Sequence, residues 1–90
     1  MPQENRSRAV ILGVLSMGPA SGYDIKQILD QGTNHFWKLS YGQIYPTLKT
    51  LEEQGQATRE VVRGDGKPDR HVYTITERGR DELQRWLTLP

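Results

Sequence analysis

A chain of 90 residues, 34% of them hydrophobic, makes one small domain with a modest core. The absence of cysteine excludes a disulfide framework and a thiolate metal site, and no apolar run approaches the roughly 20 residues that span a bilayer. The polar start Met1-Pro2-Gln3-Glu4-Asn5-Arg6 is no signal peptide, so a cytoplasmic location is expected, and a net charge of +1 makes any nucleic-acid role a matter of charge distribution.

The apolar run Ala9-Val10-Ile11-Leu12-Gly13-Val14-Leu15 suits either a strand or a buried helix by length. Val10 with Val14, and Ile11 with Leu15, pair at helical spacing, and Gly18-Pro19 supplies a stop, so the first helix is placed here. Ser21-Gly22-Tyr23-Asp24 is a capping box opening a second helix that carries Tyr23, Ile25, Ile28 and Leu29 and ends at Gly32. The connection that follows holds Phe36 and Trp37. They are read as covers for the bottom of the core, with a ligand or partner surface at Trp37 as the sharper alternative.

The third helix organises the chain. Ser40 and Gln43 form a second capping box, Ile44, Leu48 and Leu51 mark one buried face, and Gly55 is a C-terminal stop. Pro46 breaks the local rules, because an interior proline removes a hydrogen bond and crowds the carbonyl of Gly42, at about 3 kcal/mol in a regular helix. Propensity alone would start the helix at Pro46. The box and the Ile44/Leu48 register start it after Ser40, and that reading is preferred. The opposite face carries Tyr41, Gln43, Tyr45, Lys49 and Thr50, with a single charge among them. Such a face can donate to phosphate oxygens and reach base edges, although an ordinary amphipathic helix with exposed tyrosines would look the same.

Ala57–Val62 and His71–Ile75 are β-branched segments that read as strands, separated by a Gly-containing loop too long for a tight turn. Arg59, Arg63, Lys67 and Arg70 cluster there at spacings suited to a phosphate backbone. Glu60, Asp65 and Asp69 nearly cancel them, so under a DNA reading both aspartates face away from phosphate. Arg6 and Arg8 are further candidates for backbone contact. Thr76 caps a last helix running to about Leu87, with Leu83, Trp86 and Leu87 as a stripe. The expected fold is therefore mainly α with a small β-hairpin: a winged helix-turn-helix over residues 1–90, with three helices, a two-stranded wing and a C-terminal helix.

Enzyme signals are weak. His35 and His71 lack ligand spacing, Gly64-Asp65-Gly66-Lys67 departs from the phosphate-loop pattern, and there is no nucleophile motif. No enzyme activity, metal or cofactor is expected.

Over nearly its whole length the chain resembles the N-terminal DNA-binding domain of PadR-family transcriptional regulators. The resemblance rests on Ile11-Leu12-Gly13-Val14-Leu15 with Gly18-Pro19, Ser21-Gly22-Tyr23-Asp24-Ile25, Phe36-Trp37 and Ser40-Tyr41-Gly42-Gln43-Ile44-Tyr45-Pro46 before Leu48, Leu51-Glu52 and Gly55. Gly66-Lys67-Pro68 and Tyr73-Thr74-Ile75-Thr76-Glu77-Arg78-Gly79 complete it. The family carries a proline inside its third helix, which supports the start after Ser40. The resemblance implies a repressor that binds an inverted-repeat operator in double-stranded DNA as a homodimer and is released by a small hydrophobic or phenolic effector. The candidate DNA-binding set is Ser40, Tyr41, Gln43, Tyr45, Pro46 and Lys49 from the helix, with Arg63, Lys67 and Arg70 from the wing. Asp69 stands where the family's wing is usually basic and Val72 where an aromatic is common, which implies a weaker wing. Gln56-Ala57 replaces the usual apolar pair. The C-terminal dimerisation region of longer members is expected to be absent or truncated. The alternative function is a winged-helix protein-interaction module that does not bind DNA, favoured by the near-neutral charge and by Tyr41 and Tyr45.

Overall fold

The computed structural model describes residues 3–32 and 38–88, with side chains from Arg6 onward. The readings placed on His35, Phe36 and Trp37 lie outside the described residues. In chain order the elements are α1 (Gln3–Leu15), β1 (Ala20–Ser21), α2 (Gly22–Asp30), α3 (Tyr41–Glu53), β2 (Ala57–Val62), β3 (Arg70–Ile75) and α4 (Glu77–Thr88).

Helix α1 begins earlier than its apolar run, extending back through Asn5–Arg8 to Gln3. Its buried positions include Val10, Ile11, Leu12, Val14 and Leu15, so it is enclosed on most of its circumference. Ile25 and Leu29 of α2, and Ile44, Leu48 and Leu51 of α3, close on it with Leu39, Ala57, Tyr73 and Ile75. Ile11, Leu12, Ile25, Ile44, Leu48 and Leu51 are fully enclosed, each contributing roughly 1.5–3 kcal/mol over exposure. Two of the large apolar residues carried by the second helix lie off its buried face. Tyr23 and Ile28 are exposed, because only positions in register with Ile25 and Leu29 reach the core.

The hairpin register pairs Ala57 with Ile75 and Val62 with Arg70. The sheet has three strands rather than two. Ala20 and Ser21 pair with Tyr73 and Val72 on the other edge of β3, giving the order β1-β3-β2. Every β2 residue after Ala57 is exposed, so the hairpin projects from the body as a wing.

Local chemistry sets the ends of α3 and the start of α4. Gln54, Gly55 and Gln56 close α3 in a Schellman arrangement, with Gly55 at φ 72°, Gln56 N–H on the Leu51 carbonyl (2.8 Å) and Gly55 N–H on that of Glu52 (3.1 Å). Gln56 is buried but satisfied: its carbonyl accepts from Thr76 N–H (3.1 Å) and its side chain from Arg8 (3.3 Å). The first wing strand therefore forms despite the Gln-Ala pair. Thr76 caps α4, its hydroxyl accepting from Gly79 N–H (3.1 Å) while donating to the Gly55 carbonyl (2.7 Å). Of the C-terminal stripe, Leu83 packs on the core, Trp86 is half-buried and Leu87 is 71% exposed. No described helix is long and apolar enough to cross a membrane.

Candidate nucleic-acid interface

Helix α3 starts after Ser40 and runs unbroken through Pro46. Gln43 Oε1 accepts from Ser40 N–H at 2.9 Å and from the Ser40 hydroxyl at 3.2 Å, while Gln43 N–H goes to the Ser40 carbonyl at 3.0 Å. Because a backbone N–H can only donate, this contact fixes the Gln43 amide with its oxygen inward. Its NH2 is the end left to face an acceptor. A two-point contact with adenine would require the box to open.

Pro46 and Gly42 are both on the exposed side, where solvent can serve the Gly42 carbonyl that proline leaves without a donor. Thr47 and Thr50 donate back to the carbonyls of Gln43 (2.6 Å) and Pro46 (3.1 Å), one turn earlier. The Thr50 hydroxyl proton is thereby engaged within the helix.

Tyr41 and Tyr45 lie one turn apart and stack, with ring centroids 5.7 Å apart and planes inclined by 17°. They are 40% and 50% exposed. Lys26 Nζ, paired with Asp30 at 2.9 Å, stands 5.9 Å above the Tyr41 ring. Lys49 is exposed farther along the same helix.

In the wing, Arg63 and Lys67 are exposed. Asp69 turns its carboxylate onto the wing's own backbone, accepting from Gly64 N–H at 3.3 Å. A Cβ at Gly64 would meet the carbonyls of Lys67 (2.5 Å) and Pro68 (2.7 Å), so the tip folds tightly over that residue. Arg70 is placed differently from a free wing cation. Its guanidinium lies 2.6 Å from Asp24 Oδ2 and ties the wing to the start of α2. Asp24 also accepts from Ser21 N–H (3.1 Å). The Ser21 backbone N–H, then the Ser21 hydroxyl and Arg70, hold its carboxyl below the usual aspartate value against the opposing effect of burial. Arg59 is likewise engaged, with Glu52 at 3.3 Å and with His71 Nδ1 at 2.7 Å. That contact makes Nδ1 the acceptor and puts the proton of a neutral imidazole on Nε2. Burial raises the Tyr73 phenol above its ordinary pKa, with Glu52 adding to the effect.

Between α2, α3 and the wing lies an open groove lined by Tyr23, Tyr45, Lys67, Arg70, His71 and Tyr73. The structure thus brings Tyr45, Lys67 and Arg70 to one surface, while Arg63 and Lys49 are not among the groove-lining residues. Tyr23, carried by α2 and given no site role by the sequence reading, is 59% exposed on the groove. Its position two residues before Ile25, on the opposite side of the helix, was the available signal. Arg8 donates to Gln54 Oε1 (2.7 Å) and ties α1 to the end of α3.

The sequence model of the transcriptional regulator PadR-like family matches residues 11–85. The negative transcriptional regulator PadR of Bacillus subtilis is 41% identical over 78 residues, which cover 86% of this chain and 42% of that protein. A probable transcriptional regulator of Mycobacterium tuberculosis is 36% identical over 80 residues, covering 89% and 42%. The crystal structure of Bacillus subtilis PadR in complex with operator DNA superposes with a TM-score of 0.85 at 36% identity, over 92% of this chain and 47% of that one. The same protein in complex with p-coumaric acid gives a TM-score of 0.77 at 33% identity, over 100% and 46%. The chain therefore spans less than half the length of these relatives. With the family model matching most of its length and the fold shared with solved PadR structures, the chain belongs to the PadR-like family of transcriptional regulators.

Proposed function

We propose that this domain binds double-stranded operator DNA sequence-specifically and represses transcription. The observation that carries the reading is the division of α3. Ile44, Leu48 and Leu51 are fully buried, while the stacked Tyr41/Tyr45 pair and Lys49 stand exposed on the same rigid helix. A rigid helix presenting polar aromatics, amide donors and one cation suits a major groove, where base edges carry a distinct pattern for each pair. In this reading Tyr41, Tyr45 and the Gln43 NH2 read bases, Lys49 contacts phosphate, and Ser40 and Pro46 shape the helix start that approaches the backbone. Arg63 and Lys67 follow phosphates along the wing. Arg70 reaches a phosphate at the cost of its bond to Asp24. The likeness to Bacillus subtilis PadR, a negative regulator crystallised with operator DNA, supports this assignment.

Two such helices about one helical turn apart are needed to read an inverted repeat, so the functional unit in this proposal is a homodimer acting in the cytoplasm. Release by a small phenolic or hydrophobic effector is proposed by analogy with the same relative, which was also crystallised with p-coumaric acid. No catalytic step is assigned to any residue.

The test is selection of a duplex from a random library, followed by fluorescence anisotropy on the selected and scrambled sequences across a salt series. The expected result is a preference for the selected duplex, lost by roughly 1–3 kcal/mol in Tyr45→Ala. Equal, salt-fragile binding to both duplexes would refute sequence reading. Absence of binding at low salt would turn the assignment to a protein partner.

A further inference from the structure

Nothing in the backbone at Gly22 asks for glycine. Among the described residues the positive φ values belong to Gly18, Gly55 and Gly66, and Gly22 is the first residue of α2, where alanine is the better helix former. What the missing side chain provides is space for another residue. A Cβ at Gly22 would lie 2.5 Å from Tyr45 Cε1, 2.8 Å from Cζ and 3.1 Å from the phenol oxygen. The first distance is about 1 Å short of ordinary carbon–carbon contact. The Tyr45 ring therefore rests against the bare Cα of Gly22. One turn along α2, Lys26 stands over Tyr41, the other member of the stack. Residues 22 and 26 of α2 thus back residues 45 and 41 of α3, and the tyrosine pair is held from behind.

We infer that Gly22 is a positioning residue for base reading, a role that rests on the DNA-binding function proposed above: its bare Cα seats the Tyr45 ring against α2 and, through the stack, sets where Tyr41 and Tyr45 meet the bases. Tyr45 is half exposed and the atoms that an added methyl would meet are the far end of its side chain, so the methyl moves the ring rather than unfolding the domain. A shift of about 1 Å is enough to misalign a base-edge contact.

The test is a cycle of Gly22→Ala, Tyr45→Ala and the double variant, measured by anisotropy on the selected and scrambled duplexes. Gly22→Ala is expected to keep its melting temperature within a few degrees and to weaken the selected duplex by about fivefold or more, the lower end for one base contact. Its affinity for scrambled DNA and its salt slope stay unchanged, because phosphate contacts are untouched. In the Tyr45→Ala background the same change should cost less than about twofold, since no ring remains to displace. Equal losses in both backgrounds, or wild-type affinity in Gly22→Ala, would overturn the inference. A DNA-independent measurement accompanies it: nuclear Overhauser contacts from Gly22 Hα to the Tyr45 ring are expected in the wild type and displaced in Gly22→Ala. Their absence in the wild type overturns the inference. If no duplex can be selected, the DNA reading fails separately, and these contacts still decide whether Gly22 seats the ring.

Discussion

Replacing Gly79 by alanine should destabilise the domain, although the same change in most helices stabilises. Gly79 is buried in the first turn of α4, and a Cβ there would fall on the Gln56 carbonyl oxygen and within 2.8 Å of Ile75 Cγ1. That carbonyl is fixed by the Thr76 N–H at 3.1 Å, and the Thr76 hydroxyl is fixed in turn on the Gly55 carbonyl at 2.7 Å. The obstacle is backbone held by two hydrogen bonds, so relief requires α4 to move off the α3–β2 turn. Overpacking costs typically 1–3 kcal/mol, and a backbone obstacle places this site at the upper end. The gain in helix propensity returns about 1 kcal/mol. The net loss is about 2 kcal/mol, a fall in melting temperature of roughly 8–16 °C for a domain of this size. Thermal and urea unfolding followed by circular dichroism measure it. Gly13→Ala is the control: it lies within α1, nothing stands within 4 Å of its would-be Cβ, and it should raise stability by about 1 kcal/mol. A Gly79→Ala variant that melts at or above the wild type would refute the packing argument.

Two further outcomes are expected. Asp24 has its pKa lowered in the folded state, so the stability it contributes is present above the unfolded value of 3.8 and is lost as pH falls through the folded value. Its side chain is 37% exposed, so solvent screening keeps the effect under about 1 kcal/mol. Asp24→Asn keeps an acceptor for Ser21 N–H but loses the charge opposite Arg70. Its urea midpoint should fall short of the wild type at neutral pH and converge with it in acid, and a gap independent of pH would refute the linkage. For the wing, Lys67→Ala should weaken selected and scrambled duplexes alike and reduce the salt slope by about 0.9, the share of one phosphate contact. A loss confined to the selected duplex would instead make Lys67 a base reader.

The elements legible in the chain were those whose instructions are local. Ser21 with Asp24, and Ser40 with Gln43, announce helix starts over three residues: the first box forms in both directions, the second through Gln43 Oε1 on the Ser40 N–H and hydroxyl. Gly55 ends α3 because a positive φ at that point admits the closing hydrogen bonds. Ile44, Leu48 and Leu51 locate the buried face, and the β-branched run ending at Ile75, bounded by turn residues, locates the wing strand. Pro46 was the one local conflict. The box and the Ile44/Leu48 register together favoured the start after Ser40, and in the structure the helix does start there, with the proline on its exposed side.

What the linear chain withheld is everything that depends on which distant surfaces meet. Two residues, Ala20 and Ser21, carry no strand signal of their own and become β1 only through the edge of β3. The Arg70–Asp24 bond spans 46 positions in sequence and changes Arg70 from a free wing cation into a tether between wing and α2. Tyr23 is assigned to the groove by the rotation of α2 about Ile25 and Leu29, and Gly22 acquires its significance from a ring 23 positions away. Propensity, capping and periodicity act over one or two turns and so can be read along the chain. Mutual placement comes from core closure around α1, α2 and α3, and it decides which side chains share a surface.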